Sequence, residues 1–177
     1  YKANTYETNK INLLSNPTSL YSKQPTVYYG LMYLAKNAKK EVKIHTPYII
    51  CNDYMYNELK NIKVPTTIMT NSAENNGNIF GAVDYLNHKK DIINTGVTIK
   101  EYEGGISYHG KSMTIDDDIA IVGSFNMDMR SAYIDTELML VINSKDINKQ
   151  LKASMEEYEK KAATVKNETE YSHIPEG

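Results

Sequence analysis

The sequence predicts an α/β domain in which strands and helices alternate and pack in layers. Its 177 residues are long enough for one well-packed domain and too short for two of ordinary size. A hydrophobic content of 41% with 24% charged residues is typical of a globular protein. Between residues 26 and 102, strand and helix patterns follow one another in turn, which is the order found in layered α/β domains.

Apolar spacing predicts the first elements of this fold. Residues 11–14 are expected to form a short strand, and residues 27–38 a helix whose apolar residues recur every three or four positions. Residues 41–46 alternate in the way typical of a strand. His45 lies on the face of that strand opposite Val42 and Ile44, so we interpret it as a packed or exposed strand residue. Cys51, which ends the next apolar run, is expected to be a small buried residue.

Cap and turn residues delimit the middle of the chain. Asp53 is expected to cap a short helix that continues to Ile62. The β-branched residues of 64–70 predict a strand. Asn78 is expected to cap the following helix, and Gly96 suits its carboxyl-terminal end. The face of this helix that we expect to be buried carries Ile79, Val83, Leu86 and Ile93.

The last third of the chain supplies further strands and one helix. Strands are predicted at residues 97–102, 107–115, 119–122 and 136–142, and a helix at 144–158. Three adjacent Asp residues, 116–118, join the second and third of these strands as a charged hairpin turn. We favour the turn over a metal site because neighbouring side chains cannot easily converge on one ion. In the last strand we expect Leu138, Leu140 and Ile142 to share one buried face.

The residues best suited to catalysis lie on and beside the predicted hairpin. His109, Lys111 and Asp116 have the spacing HxK(x)4D, and a GSxN tetrapeptide follows at 123–126. His109 and Lys111 are two positions apart on the predicted strand, so both side chains are expected to face the same way. An imidazole can act as nucleophile or proton donor near neutral pH, and an ammonium can hold a phosphate oxygen. This pattern therefore indicates chemistry on a phosphodiester.

The combined pattern resembles the HKD signature of the phospholipase D superfamily. The stretch KEVKIHTPYIICND, residues 40–53, is similar to the opening of the second half of cardiolipin-synthase-like members. The resemblance implies a layered α/β/α sandwich with a mixed central β-sheet. It also implies an enzyme that cleaves or transfers phosphodiesters through a phosphohistidine, with no cofactor and no metal. A complete site would use two HKD motifs, and the present sequence has one.

The resemblance also assigns roles to residues of this chain. The predicted catalytic residues are His109, Lys111, Asp116 and Glu137, and the predicted phosphate-binding residues are Lys111, Ser124 and Asn126. Asp116 would lie far from His109 in the hairpin, so we expect it to give structural support. The carboxylate that orients His109 could come from Asp128, Asp135 or Glu137, and Glu137 matches the position used in the family. Asp128 is otherwise expected to form a cap or an ion pair with Arg130.

Three segments are predicted. Residues 1–25 form a leader or inter-domain linker, 26–160 the HKD domain, and 161–177 a polar tail that contains His173. A second HKD motif would come either from a partner half upstream in a longer chain or from a second copy of this chain in a homodimer. We favour the upstream half, because the chain begins at Tyr1 rather than Met and its first residues resemble a linker.

Composition narrows the substrate. The net charge of −2 and a pI of about 6.1 argue against a protein dedicated to holding a long polyanion such as a nucleic acid. The resemblance of residues 40–53 to cardiolipin-synthase-like members implies phospholipid chemistry instead. No apolar run reaches membrane-spanning length, and membrane association of a full-length protein stays open. The alternatives are a single-motif nuclease or phosphodiesterase active as a homodimer, a non-catalytic half that serves as scaffold, and an α/β binding domain with an accidental match. A scaffold predicts decay of the signature, which is intact.

Overall fold

The computed structural model describes residues 8–18 and 24–166. The strands are β1 (Lys10–Ser15), β2 (Val42–His45), β3 (Ile49–Ile50), β4 (Thr66–Asn71), β5 (Thr98–Tyr102), β6 (Ser112–Ile115), β7 (Ile119–Gly123), β8 (Met127–Asp128), β9 (Leu138–Asn143) and β10 (Ala162–Thr164). The helices are α1 (Thr26–Lys36), α2 (Asp53–Lys60), α3 (Ile79–Asn94), α4 (Met129–Tyr133) and α5 (Lys145–Glu159). None of these helices is both long and apolar enough to cross a bilayer.

A mixed β-sheet forms the middle layer. Its strand order is β1-β9-β7-β6-β2-β4-β5-β10. Strands β2, β4 and β5 are parallel, as expected when helices connect them, and the remaining neighbours are antiparallel. A short parallel ladder joins β3 to β8 beside this sheet. The mixed sheet confirms the predicted α/β architecture.

Helices cover both faces of the sheet and complete the sandwich. Helix α5 packs across β5, β6 and β7 on one face, whereas α1 to α4 pack against one another on the other face. Val42 and Ile44 of β2 point toward α1 and belong to the main core, while His45 points to the α5 side. The main core also contains Met113, Ile121, Met139 and Val141 from the neighbouring strands.

Both edge strands lie outside the residues predicted as the HKD domain. Strand β1, within the predicted leader, pairs with β9, and β10, within the predicted tail, pairs with β5. The strand predicted at 11–14 is thus confirmed. The remaining parts of the predicted leader and tail, residues 1–7, 19–23 and 167–177 with His173, lie outside the described residues, and the three segment boundaries stay predictions.

The buried face predicted for α3 is partly wrong. Ile79 and Val83 are 78% and 52% exposed, whereas Tyr85 and Lys89 are buried. The physical reason is Glu101 on β5, which accepts a hydrogen bond of 2.5 Å from the Tyr85 hydroxyl and pairs with Lys89 Nζ at 2.7 Å. A buried carboxylate requires such partners, so two polar residues occupy the inner face of the helix.

Two further local predictions need correction. Asn52, and not Asp53, caps α2, since its Oδ1 accepts a hydrogen bond from the Met55 amide. In β9, Leu138 is 46% exposed at the sheet edge, and Met139 and Val141 on the opposite face enter the main core. The cap predicted at Asn78 is confirmed, and the helix predicted from residue 144 is observed as α5, with Ser144 as its cap. Gly96 has a φ of +87° just after α3, as a carboxyl-terminal glycine should.

Candidate active site

The predicted site residues other than Asp116 converge on one edge of the sheet. His109 and Lys111 immediately precede β6, and the GSxN loop follows β7. Because β6 and β7 are antiparallel neighbours, these two segments meet, and Glu137 arrives beside them just before β9. The carboxyl ends of β2, β4 and β5 reach the same edge. Crevices outside such strand ends are the usual ligand sites of α/β folds.

His109 and Lys111 lie side by side, although the strand predicted for them begins only at Ser112. Lys111 Nζ lies 3.0 Å from His109 Nδ1 and donates a hydrogen bond of 2.8 Å to the His109 carbonyl oxygen. A lysine ammonium can only donate, so Nδ1 accepts and the proton of a neutral His109 ring resides on Nε2. Burial lowers the pKa of Lys111, and the carboxylates of Glu137 and Asp128 oppose that shift.

Glu137 is bound by hydroxyl groups. Ser124 Oγ donates to Glu137 Oε2, and Ser131 Oγ donates to Oε1 at 3.3 Å. Ser124 Oγ in turn accepts from the Leu138 amide at 3.1 Å. Within residues 8–18 and 24–166, both Glu137 oxygens therefore bond to hydroxyls rather than to the His109 ring. Its predicted orienting role stays a prediction.

The GSxN loop owes its shape to Gly123 and Phe125. A Cβ on Gly123 would lie 2.1 Å from the carbonyl oxygen of Leu138, so this close approach to β9 requires glycine. Phe125 is buried and anchors the loop against Tyr28, with ring centroids 6.2 Å apart. Asn126 Oδ1 is buried without a hydrogen-bond partner among the described residues. The Asn126 backbone amide donates to Ser131 Oγ at 3.3 Å, and the side-chain oxygen keeps unused acceptor capacity.

The other acidic candidates have structural partners. Asp128 caps α4 by accepting a 2.6 Å hydrogen bond from the Ser131 amide, which confirms the predicted cap. Arg130 pairs with Asp135, whose Oδ2 lies 3.1 Å from its Nε. The ion pair suggested for Asp128 and Arg130 is therefore not the one observed, because Asp128 caps α4. Arg130 pairs instead with Asp135, five residues further along the chain.

Asp116 lies at the opposite end of β6 from His109. Its φ is +52°, and its carboxylate accepts hydrogen bonds from the backbone amides of Lys39, Lys40 and Glu41, the shortest of which is 2.7 Å. Burial alone would raise the pKa of Asp116, but these three amides outweigh it and lower the pKa. This position supports the expected structural role of Asp116.

Asn71 is a positioning residue that sequence reasoning missed. Its Oδ1 accepts a 2.7 Å hydrogen bond from the Tyr108 amide, and its Nδ2 donates a 2.9 Å bond to the Tyr108 carbonyl. The side chain is buried at the end of β4 and binds both backbone polar groups of Tyr108, the residue that precedes His109. No local pattern marks Asn71, since it lies 37 residues from Tyr108.

A cavity of about 350 Å³ opens beside His109. Its walls include the rings of Tyr102, Tyr108 and Tyr158 and the side chain of Ile106. These walls are largely aromatic and apolar, in contrast to the polar groups on the GSxN side of the site. The cavity offers space for an organic group attached to a phosphate held near His109.

The fold and this arrangement define a phospholipase D-like domain. The sequence profile of the family described as "Cardiolipin synthase, PLD-like domain" matches residues 31–158. The chain belongs to this family, a branch of the phospholipase D superfamily of enzymes.

Known proteins of this type match the chain over most of its length. It is 32% identical over 133 residues to cardiolipin synthase 1 of Staphylococcus epidermidis, an alignment covering 73% of this chain and 26% of the relative. It is 31% identical over 129 residues to the cardiolipin synthase of Staphylococcus aureus, covering 71% and 26%. The chain thus spans about a quarter of the length of these relatives.

Solved structures share the fold at low sequence identity. Nuc from Salmonella typhimurium, a phospholipase D family member, superposes with a TM-score of 0.70 at 16% identity, over 89% of this chain and 99% of Nuc. Phosphatidylserine synthase of Haemophilus influenzae superposes with a TM-score of 0.69 at 16% identity, over 92% of this chain and 41% of the synthase.

Proposed function

We propose that this domain cleaves or transfers a phosphodiester through a phosphohistidine, acting on phospholipid as one half of a two-HKD site. The observation that carries the proposal is the pairing of His109 with Lys111 at the sheet edge, 3.0 Å apart. An exposed imidazole beside an ammonium is suited to an anionic phosphate, since one supplies a lone pair or a proton and the other neutralises charge.

The reaction needs two histidines. The nitrogen lone pair of one histidine attacks phosphorus, the bond from phosphorus to the leaving oxygen breaks, and the second histidine donates a proton to that oxygen. Water or an alcohol then attacks phosphorus, the bond from phosphorus to the histidine nitrogen breaks, and the second histidine takes up the proton of the attacking hydroxyl. His109 supplies one of these rings, and a second HKD motif supplies the other.

Lys111 and Asn126 are proposed to bind the phosphate. When Lys111 moves its hydrogen bond from His109 Nδ1 to a phosphate oxygen, the ring of His109 is released to react. The amide of Asn126 can donate to a second oxygen. Ser124 supports this arrangement indirectly, because it connects the loop to Glu137. Charge stabilisation of this kind is the larger part of many phosphoryl and acyl transfer mechanisms.

Phospholipid is the favoured substrate class. The cardiolipin synthase relatives, the acidic net charge of −2 and the aromatic and apolar cavity beside His109 all support it. A nuclease would require a continuous cationic track for a long polyanion.

The test is hydrolysis of a chromogenic phosphodiester, and then of phospholipid vesicles, by protein that has both HKD motifs in place. Replacing His109 with Ala should reduce turnover at least about 1,000-fold, since the reacting group is lost. His88→Ala is the matched control, because His88 lies on α3 with its Nδ1 3.0 Å from the Asp84 carbonyl. Turnover should persist in EDTA. Activity retained by the His109 variant would overturn the proposal.

A homodimer of this chain is the second candidate. The observation that favours it is the extent of the match to Nuc, since the superposition covers 99% of that chain. A chain of this size with one HKD motif would complete its site by placing two His109 side chains about a two-fold axis.

A further inference from the structure

We propose that His45 is a positioning residue for His109, acting through the phenol of Tyr108. The inference rests on the proposed function and adds to it the device that holds the reacting imidazole. Neither His45 nor Tyr108 belongs to the HKD or GSxN pattern, and His45 reads as an ordinary strand residue in the sequence.

Hydrogen bonds connect the side chains of Tyr108, His45 and Glu159 in series, and we call this set of three the relay. The hydroxyl of Tyr108 lies 3.2 Å from His45 Nδ1, and His45 Nε2 lies 3.1 Å from Glu159 Oε1. His45 is 1% exposed and Glu159 9% exposed, so the bond between them is shielded from water, and the bond from Tyr108 to His45 is partly buried. The relay links helix α5, strand β2 and the segment that carries His109.

The charges around Glu159 set the direction of these bonds. Burial alone would raise the pKa of Glu159, but hydrogen bonds from His45 and Lys100 and the nearby charge of Lys43 lower it to about 2. The carboxylate is therefore ionised and accepts from His45 Nε2–H. Burial lowers the pKa of His45, so at neutral pH its ring is neutral. His45 Nδ1 is then an acceptor, and it receives the hydroxyl proton of Tyr108.

Tyr108 is held at both its backbone and its side chain. Asn71 binds the backbone amide and carbonyl of Tyr108, and His45 binds the phenol. The ring also packs edge-on against Tyr102 and Tyr158, with centroids 5.7 and 4.9 Å away. The next residue is His109, so its peptide inherits the position and rotation that these contacts impose.

The polarity of the relay indicates a role beyond packing. A phenylalanine would fill the same aromatic space as Tyr108, and an apolar pair in place of His45 and Glu159 would avoid the desolvation of buried polar groups. A hydrogen bond adds what packing lacks, namely a fixed direction for the ring and the peptide attached to it. Reacting groups must be held to within a fraction of an ångström, and misplacement by about 1 Å can cost 100-fold in rate.

The experiment removes the hydrogen bond from the Tyr108 phenol to His45 and compares the effect with that of removing the hydroxyl of another tyrosine. In protein with both HKD motifs in place, Tyr108→Phe should lower kcat about tenfold with KM changed less than about twofold. Tyr33→Phe removes a hydroxyl from an exposed ring on α1 that lines neither the site nor the cavity beside His109, and it should leave kcat within about twofold of the original. In His45→Gln the amide nitrogen can still donate to Glu159 from the position of Nε2, but no atom replaces the acceptor Nδ1 opposite Tyr108, so the variant should match Tyr108→Phe. The double variant should lose no more than either single variant.

Hydrogen exchange of the backbone amide at position 108 provides a readout that does not depend on activity. That amide is bonded to Asn71, and Tyr108→Phe should speed its exchange about tenfold while Tyr33→Phe leaves it unchanged. Unchanged exchange, unchanged kcat, or losses that add in the double variant would each overturn the relay. If His109→Ala retains full turnover, the proposed function fails, and exchange at position 108 alone decides whether the relay exists.

Discussion

Glu137 is the single residue whose chemical role can be tested most directly. Its carboxylate is 8% exposed and is bound by the hydroxyls of Ser124 and Ser131. From there its charge acts on Lys111, whose pKa it raises against the effect of burial. We infer that Glu137 sets both the shape of the GSxN loop and the local potential at the phosphate-binding ammonium.

Replacing Glu137 with Gln should slow turnover about tenfold and leave the protein folded. The amide has nearly the same shape and can still bond to both hydroxyls, because a serine hydroxyl can turn to accept. The negative charge near Lys111 is lost, however. The measurement is kcat of protein with both HKD motifs, together with the urea midpoint of unfolding.

Asp135→Asn is the matched control for that substitution. It also neutralises one carboxylate near the GSxN loop, but one that pairs with Arg130. We expect its kcat to stay within about twofold of the original. An unchanged rate for Glu137→Gln would transfer the orienting role to Asp128 or Asp135.

Among the elements, the β6–β7 hairpin depends on Asp116. The carboxylate binds the amides that connect α1 to β2, and thereby ties the hairpin to a second part of the sheet. The φ of +52° is one that Asp and Asn tolerate better than most residues. An HKD aspartate in this position stabilises the strand that follows His109 and Lys111, at a distance from the chemistry.

Asp116→Asn should lower the free energy of unfolding by roughly 1 kcal/mol at pH 7, a value reduced by partial solvent exposure of the carboxylate. The pKa of Asp116 is lower in the folded protein than in the unfolded chain. Its contribution is therefore present above the unfolded value of about 3.9 and is lost as the pH falls through the folded pKa. Urea unfolding at pH 7 and at about pH 3 measures both effects.

Asp118→Asn provides the control for the hairpin. It removes one charge from the same turn and leaves the three amide bonds of Asp116 intact. If Asp118→Asn lost as much stability as Asp116→Asn, the general charge of the turn and not amide binding would matter. The same would follow if the stability difference between Asp116→Asn and the original protein persisted at low pH.

For the whole molecule, the main question is what completes the site. His109 is exposed at the sheet edge, and the sequence contains one HKD motif. A phosphohistidine mechanism requires a second histidine on the other side of the phosphate. The chain spans 26% of the length of its cardiolipin synthase relatives. The two sources proposed for the second motif are another half of a longer chain and a second copy of this chain.

We expect the folded 177-residue chain alone to show no phosphodiester turnover at any concentration, because in the proposed two-HKD arrangement it supplies half of the site. Turnover should appear when the second HKD half is supplied. Specific activity is measured in EDTA over a wide concentration range, with sedimentation analysis of the same samples. Activity that rises with dimer formation and disappears in His109→Ala would instead establish the homodimer of this chain.

The sequence by itself determined the class of fold and marked the groups that we propose to react. The HxK(x)4D and GSxN spacings are local, and the periodicity of strands and helices is a local consequence of which side chains face the core. Helix caps such as Asn78 were predictable for the same reason, since a cap and the amides it binds are neighbours in sequence.

Tertiary structure alone decided which partners hold those reacting groups. Asn71 reaches Tyr108 across 37 residues, and His45 reaches Glu159 across 114. Glu101 also acts on residues distant in sequence, since it draws Tyr85 and Lys89 inward. Ile79 and Val83, on the face of α3 that was expected to be buried, are exposed instead. Buried polar groups need partners that chain folding brings from a distance, and no spacing along the sequence encodes that choice.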